Sequence, residues 1–164
     1  MLTIRPATPA DIGAVDALLA RSYGPLLRAD YAPSVLILVL PRMARAQPRL
    51  LASGRYFLAE EEGALLGAGG WSVEPPGGGA AIPALAHVRH VATDSRAVRR
   101  GVGRTLMGRV IEEARASGMR RLSSLSTLTA VPFYEALGFQ AMRRLDLAFV
   151  PGVPFSAVEM ERPL

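Results

Sequence analysis

The amino-acid sequence predicts an α/β fold in which one mixed sheet is flanked by helices. Three observations carry this expectation. Residues 86–126 read as strand, glycine turn, helix and strand, a unit that closes as a right-handed parallel crossover. Residues 55–73 read as two strands joined at Glu61-Glu62-Gly63, an antiparallel hairpin. A chain of 164 residues with 50% hydrophobic content can bury the core of one domain, and no linker divides residues 1–164.

The elements follow in order. "LTIRPAT" alternates apolar and polar residues, an edge strand stopped by Pro6. In "TPADIGAVDALLARSYG", Thr8 is the N-cap, Pro9 the first helical residue and Asp11 the partner in a capping box. Ile12, Val15, Leu18 and Leu19 form the buried stripe of that helix, expected to end near Gly24. "SVLILVLPRMARAQPRLL" reads as a helix capped by Ser34 and broken around Pro41, then a second turn, although its β-branched start leaves a strand as the alternative. Gly67, Gly69 and Gly70 weaken the second hairpin strand or mark a bulge. "EPPGGGAAIP" is a surface loop. In "ALAHVRHVAT", strict alternation puts Val88, His90 and Ala92 on one face and His87, Arg89 and Val91 on the other. Val102, Leu106, Val110 and Ala114 then give a helix ending at Gly118. "MRRLSSLST" is a strand, "VPFYEALGF" a short helix between Pro132 and Gly138, and "FQAMRRLDLAFV" and "FSAVEME" the final strands.

Composition narrows the function classes. The net charge is +5 and all nineteen basic residues are Arg, a balance that suits nucleic acid, acidic membranes or phosphorylated small molecules. The arginines are spread over many elements, which disfavours nucleic acid as a partner. The lack of Cys excludes disulfides and thiolate metal sites, and no metal is expected. "VLILVL" at 35–40 is far short of the roughly 20 residues that span a bilayer. Without a signal-peptide pattern at residues 1–5, the expectation is a soluble, cytoplasmic protein with no membrane partner.

"VRRGVGRTLM" at 98–107 carries the chemistry. A strand that runs through a glycine turn into a helix leaves backbone N–H groups free at the positive end of the helix dipole, an anion site. Gly101 and Gly103 let an anion approach the backbone, and Arg99, Arg100 and Arg104 add charge-assisted hydrogen bonds. A dinucleotide fingerprint would need Gly where Leu106 stands, and a nucleoside-triphosphate loop needs a Lys that the chain lacks.

The stretch "HVATDSRAVRRGVGRTLM" resembles the fourth strand, pyrophosphate loop and following helix of the GCN5-related N-acetyltransferases, and "TAVPFYEALGF" is similar to that family's second characteristic segment. The loop departs from the family pattern at its first position, Val98 instead of Gln or Arg. The resemblance implies acetyl-CoA as cosubstrate, with its pantetheine arm between splayed fourth and fifth strands, against the backbone of Val91, Ala92 and Thr93. Its pyrophosphate would lie on the amides of Val98, Arg99, Arg100, Gly101, Val102, Gly103 and Arg104.

Transfer to an amine, of pKa about 10, requires its deprotonation, an oxyanion donor and a proton for the leaving thiolate. The resemblance assigns the oxyanion to the amide of Val91 or Ala92 and the acid to Tyr134, which otherwise is half of a core pair with Phe133. Family members often carry their base eleven residues before the loop, which here is His87; Glu74 acting through water is the alternative. His90 is then a packing or hydrogen-bonding residue. Arg89 binds an acidic acceptor or holds a carboxylate of the chain. Tyr23, Tyr31 and Trp71 line an apolar acceptor slot or sit in the core. The expected acceptor is a small-molecule or peptide amine, and residues 35–43 cover the acceptor site, pack in the core or form a homodimer contact. A non-catalytic acetyl-CoA sensor of the same fold is the rival function.

Overall fold

Residues 1–164 are all described by the structure, a computed structural model. In chain order they form β1 (Thr3–Pro6), a 3-10 turn (Pro9–Asp11), α1 (Ile12–Leu27), α2 (Pro33–Met43), α3 (Pro48–Ala52), β2 (Tyr56–Glu61) and β3 (Ala64–Ser72). Then come β4 (Leu85–Thr93), α4 (Val102–Ala116), β5 (Arg121–Thr127), α5 (Val131–Ala136), β6 (Gln140–Val150) and β7 (Val153–Pro163). The strands make one seven-stranded sheet in the order β1-β2-β3-β4-β5-β7-β6. Every pair is antiparallel except β4 with β5, the crossover expected around α4.

Alternation in β2 shows how the sheet is covered. Phe57 and Ala59 face α4, joining Leu106, Met107, Val110 and Trp71 in the largest core. Tyr56 and Leu58 face the other way, against Val15, Leu18 and Leu19 of α1. A third cluster packs Leu36 and Val39 of α2 against Leu27, Tyr31 and Phe155. Gly70 is required where β3 lies against the start of β2, because a Cβ there would collide with the carbonyl of Arg55.

Three local expectations are corrected. The first helix does not stop at Gly24 but continues through Pro25 to Leu27. Proline lacks the N–H that would bond the carbonyl of Arg21, one turn earlier, and that carbonyl instead accepts the Ser95 hydroxyl at 3.2 Å. Ser34 does not cap α2, which starts at Pro33 after an extended Ala32 and runs past Pro41 to Met43. Strict alternation in β4 fails at a bulge, where pairing passes from Gly70↔Arg89 to Ala68↔Ala92 and leaves His90 and Val91 opposite Gly69. His90 has φ +47, so Val91 packs with the α4-side core while Ala92 joins the α1-side core.

Candidate active site

β4 and β5 pair only at Leu85↔Arg121, Ala86↔Leu122 and His87↔Ser123, and then part. The gap opens into a cleft of about 1110 Å³ lined by the free halves of both strands, the loop before α4, α1 and α5.

One end of the cleft is the loop 94–101. Asp94, almost fully buried, ties it down by accepting from Arg21 Nε at 2.8 Å, Arg96 Nη2 at 3.2 Å and the Arg96 amide at 2.9 Å. These donors, the Arg96 side chain first, hold its carboxyl well below the usual carboxylate range against the cost of burial. Beyond it the chain turns with Arg99 at φ +64 and Gly101 at φ +80, a left-handed pair of turns for which glycine is the residue without strain at 101. None of the backbone N–H groups from Val98 to Arg104 donates to an acceptor within the protein. They stand at the N-terminus of the fifteen-residue α4, whose dipole adds positive potential. Arg100 is paired with Glu61, whereas exposed Arg99 and Arg104 have no carboxylate partner. Gly103 serves a different purpose from Gly101: a Cβ would lie 2.9 Å from Cε1 of Phe133, so its absence lets α4 and α5 meet beside the cleft.

Tyr134 lines the middle of the cleft with only 6% of its surface exposed. Its ring is held edge-on by Phe133 at 5.1 Å and Phe139 at 5.2 Å, so it is a core residue and a cleft residue at once. Burial pushes its phenol up to about 12, opposed in part by the Ser124 hydroxyl. Tyr23 also lines the cleft, and its hydroxyl donates to the Val91 carbonyl at 3.3 Å. Tyr56 donates to the His90 carbonyl at 2.8 Å, so two tyrosines hold the carbonyls of the bulge.

The other end is built on Arg89 and His90. Arg89 Nη1 donates to Ser72 Oγ at 3.0 Å and Nη2 to Gln47 Oε1 at 2.8 Å. The Gln47 amide nitrogen therefore faces His90 Nε2, 3.0 Å away, which must accept and leaves the ring proton on Nδ1. Burial, then the charge of Arg89, depresses His90 to about 4. Gln47 was not legible in the sequence, where a lone Gln before a proline carries no motif. His87 lies further back on β4, 9% exposed and outside the cleft lining, with Nε2 buried and without a protein partner. Burial, then Arg89, lowers its pKa against the opposing pull of Glu161 and Glu159. Glu74 is exposed and also outside the lining. Tyr31 and Trp71 are core residues: Tyr31 stacks on Phe155 with centroids 4.2 Å apart, and Trp71 lies under Arg55. In α2, Leu36 and Val39 are buried while Ile37 and Leu38 face solvent. No helix is long and apolar enough to cross a membrane, and no cluster of side chains suited to a metal ion is present.

Comparison with solved structures agrees with this architecture. A GCN5-related N-acetyltransferase from Rhodopseudomonas palustris, described as an aminotransferase of class II, superposes with TM-score 0.78 at 22% identity, covering 99% of this chain and 95% of that one. The PaiA N-acetyltransferase of Thermoplasma acidophilum, in complex with coenzyme A, gives 0.76 at 12% identity over 100% and 99% of the two chains. The ribosomal-protein-S18-alanine N-acetyltransferase of Escherichia coli gives 0.68 at 19% identity over 99% and 94%. A search of curated proteins returns no match. At such identities the likeness speaks for the fold; the sequence itself speaks for the family, because the profile of the Acetyltransferase (GNAT) family matches residues 23–139, from Tyr23 in the cleft wall to Phe139 behind Tyr134. The chain belongs to the GNAT acetyltransferase family.

Proposed function

We propose that the protein transfers an acetyl group from acetyl-CoA to a primary amine of a small molecule or peptide, by direct attack within this cleft. The observation that carries the reading is the continuity of one cavity from the unpartnered amides of residues 98–104, past the parted strands, to Tyr134 and Arg89. Those amides, with Arg99 and Arg104, suit a pyrophosphate, and the free edge of β4 at Val91, Ala92 and Thr93 suits an extended amide-bearing arm. Val98 contributes its backbone N–H and no side-chain donor, which leaves the arginines as the mobile part of the grip. The complex of the Thermoplasma protein with coenzyme A supports the same choice of donor.

Acetyl-CoA supplies the thioester. The amide of Val91 or Ala92 takes the carbonyl oxygen as charge develops on it, an interaction worth about 3 kcal/mol of barrier. The amine nitrogen bonds to the carbonyl carbon, the C–S bond breaks, and Tyr134 hydrogen-bonds the departing sulfur. The amine proton leaves through water, since neither His87 nor Glu74 lines the cleft. We place this activity in the cytoplasm and assign it to one domain over residues 1–164.

Calorimetric titration with acetyl-CoA, followed by a free-thiol assay over a panel of amines, tests the reading. Micromolar binding with thiol release for one class of amine is expected. Binding without release for any amine would instead support an acetyl-CoA sensor, and no binding would overturn the loop assignment.

A further inference from the structure

Arg89 is a cation placed where a protein rarely leaves one unmatched. It lines the cleft, is only partly exposed, and has no carboxylate within ion-pair distance. Its two protein partners, Ser72 Oγ and Gln47 Oε1, are neutral, and Ser72 in turn donates to the Glu74 carbonyl. These bonds use two of the five guanidinium N–H groups and hold the plane of the fork. The remaining donors are enough for a bidentate anion. The neighbouring charges leave the place open: burial and the charge of Arg89 itself keep His90 neutral, with its Nε2 facing the Gln47 amide, His87 is likewise driven toward its neutral form, and Glu74 acts on Arg89 only at a distance. A charge held away from water without a counter-ion is costly, and a ligand anion removes that cost.

Position gives the chemistry of the ligand. Arg89 stands two residues before Val91, about 6 Å along the strand from the amide assigned to the acetyl carbonyl. It lies at the end of the cleft away from the pyrophosphate loop, so its anion belongs to the acceptor. Met43, Leu147 and Phe149 supply apolar wall in the same cavity. We propose that Arg89, oriented by Gln47 and Ser72, binds the carboxylate of the acetyl acceptor, and that the acceptor is a small amino acid-like amine with an apolar side chain. This rests on the acetyltransferase reading for its catalytic meaning, but the carboxylate site is testable by binding alone.

Two measurements separate the claims. The first is calorimetric binding of N-acetyl-L-leucine and of N-isopentylacetamide, which lacks the carboxylate, to the protein saturated with coenzyme A. The acid is expected to bind at least about tenfold tighter, the value of a charge-assisted pair. Arg89→Met, which keeps the aliphatic stem, should erase the difference, and Arg89→Lys, which keeps the charge without the fork, should retain part of it. Acetyl-CoA affinity serves as the folding control for both variants. The second is thiol release with L-leucine, L-methionine and L-phenylalanine against isopentylamine and phenethylamine. Higher kcat/KM for the acids, lost in Arg89→Met, supports the proposal. Equal or better turnover of the carboxylate-free amines overturns the subsite and leaves the acetyltransferase reading standing. Arg89-dependent binding of N-acetyl-L-leucine with no thiol release from any amine supports the subsite and overturns the acetyltransferase reading. Equal binding of the two acetyl compounds overturns the subsite.

Discussion

Replacing Tyr134 by Phe asks what the hydroxyl contributes. The ring keeps its edge contacts with Phe133 and Phe139, so no cavity opens and the fold should be unaffected. The phenol sits at about 12, whereas an alkyl thiol sits at about 8.5. Full proton transfer from this phenol to a thiolate is then uphill, which favours a hydrogen bond to the sulfur over a completed transfer. What remains is a hydrogen bond to developing charge on sulfur, worth about 1.5–3 kcal/mol. Tyr134→Phe should therefore lower kcat by about 10- to 150-fold while acetyl-CoA affinity stays within about twofold. The raised pKa also keeps the hydroxyl protonated up to pH 10, so any alkaline limb in kcat must survive in the variant. Steady-state thiol release from pH 6 to 10 in both proteins is the assay. A loss beyond a thousandfold would mean that the proton does transfer in the rate-limiting step. No loss would remove Tyr134 from the reaction.

Three further outcomes follow from the same geometry. Arg104→Glu, at an exposed residue with no ion pair, should leave the melting temperature in place and weaken acetyl-CoA binding by about 10- to 100-fold, read by calorimetry; an unchanged constant would mean that the loop does not hold the pyrophosphate. Asp94→Asn should cost about 2 kcal/mol in urea unfolding at pH 7. Because the folded-state carboxyl is held low, that stabilisation is complete above the unfolded pKa of about 4 and is lost as pH falls below it, so the gap between the two proteins must narrow from pH 5 to pH 2; a constant gap would show that Asp94 acts other than as a paired anion. Gln47→Ala uncovers His90 and admits water, relieving part of the burial that depresses it, so in a chain with only two histidines the NMR titration of His90 should move up from about 4 toward 6.5, and a midpoint that stays near 4 would show that Gln47 does not shield the ring.

The sequence was most informative where local rules decide structure. Thr8 and Asp11 do form the capping box, the hairpin turns at Glu62-Gly63, and the spacing of Val102, Leu106, Val110 and Ala114 makes the buried stripe of α4. Local preference misleads where a distant partner overrides it. Pro25 reads as a helix end because nothing near it in sequence can satisfy Arg21, and Ser95, which does, is over seventy residues away. Alternation through β4 reads as regular because nothing in "HVRHVAT" announces that Tyr56 and Tyr23 will hold the carbonyls of a bulge.

These failures are not scattered. Four non-glycine residues have left-handed backbone, a conformation costing about 1 kcal/mol or more. Glu62 is explained by its hairpin turn and Ala84 precedes the start of β4; the other two, His90 and Arg99, line the cleft. Ser95, which frees α1 to continue past Pro25, belongs to the loop that Asp94 ties to Arg21. Departures from local consistency gather at this cleft, and one demand accounts for His90, Arg99 and the run of α1 past Pro25. A strand must stop pairing, turn its amides toward a cavity and deliver the chain to the start of a helix within about a dozen residues, and no regular element does that without strain or a borrowed partner.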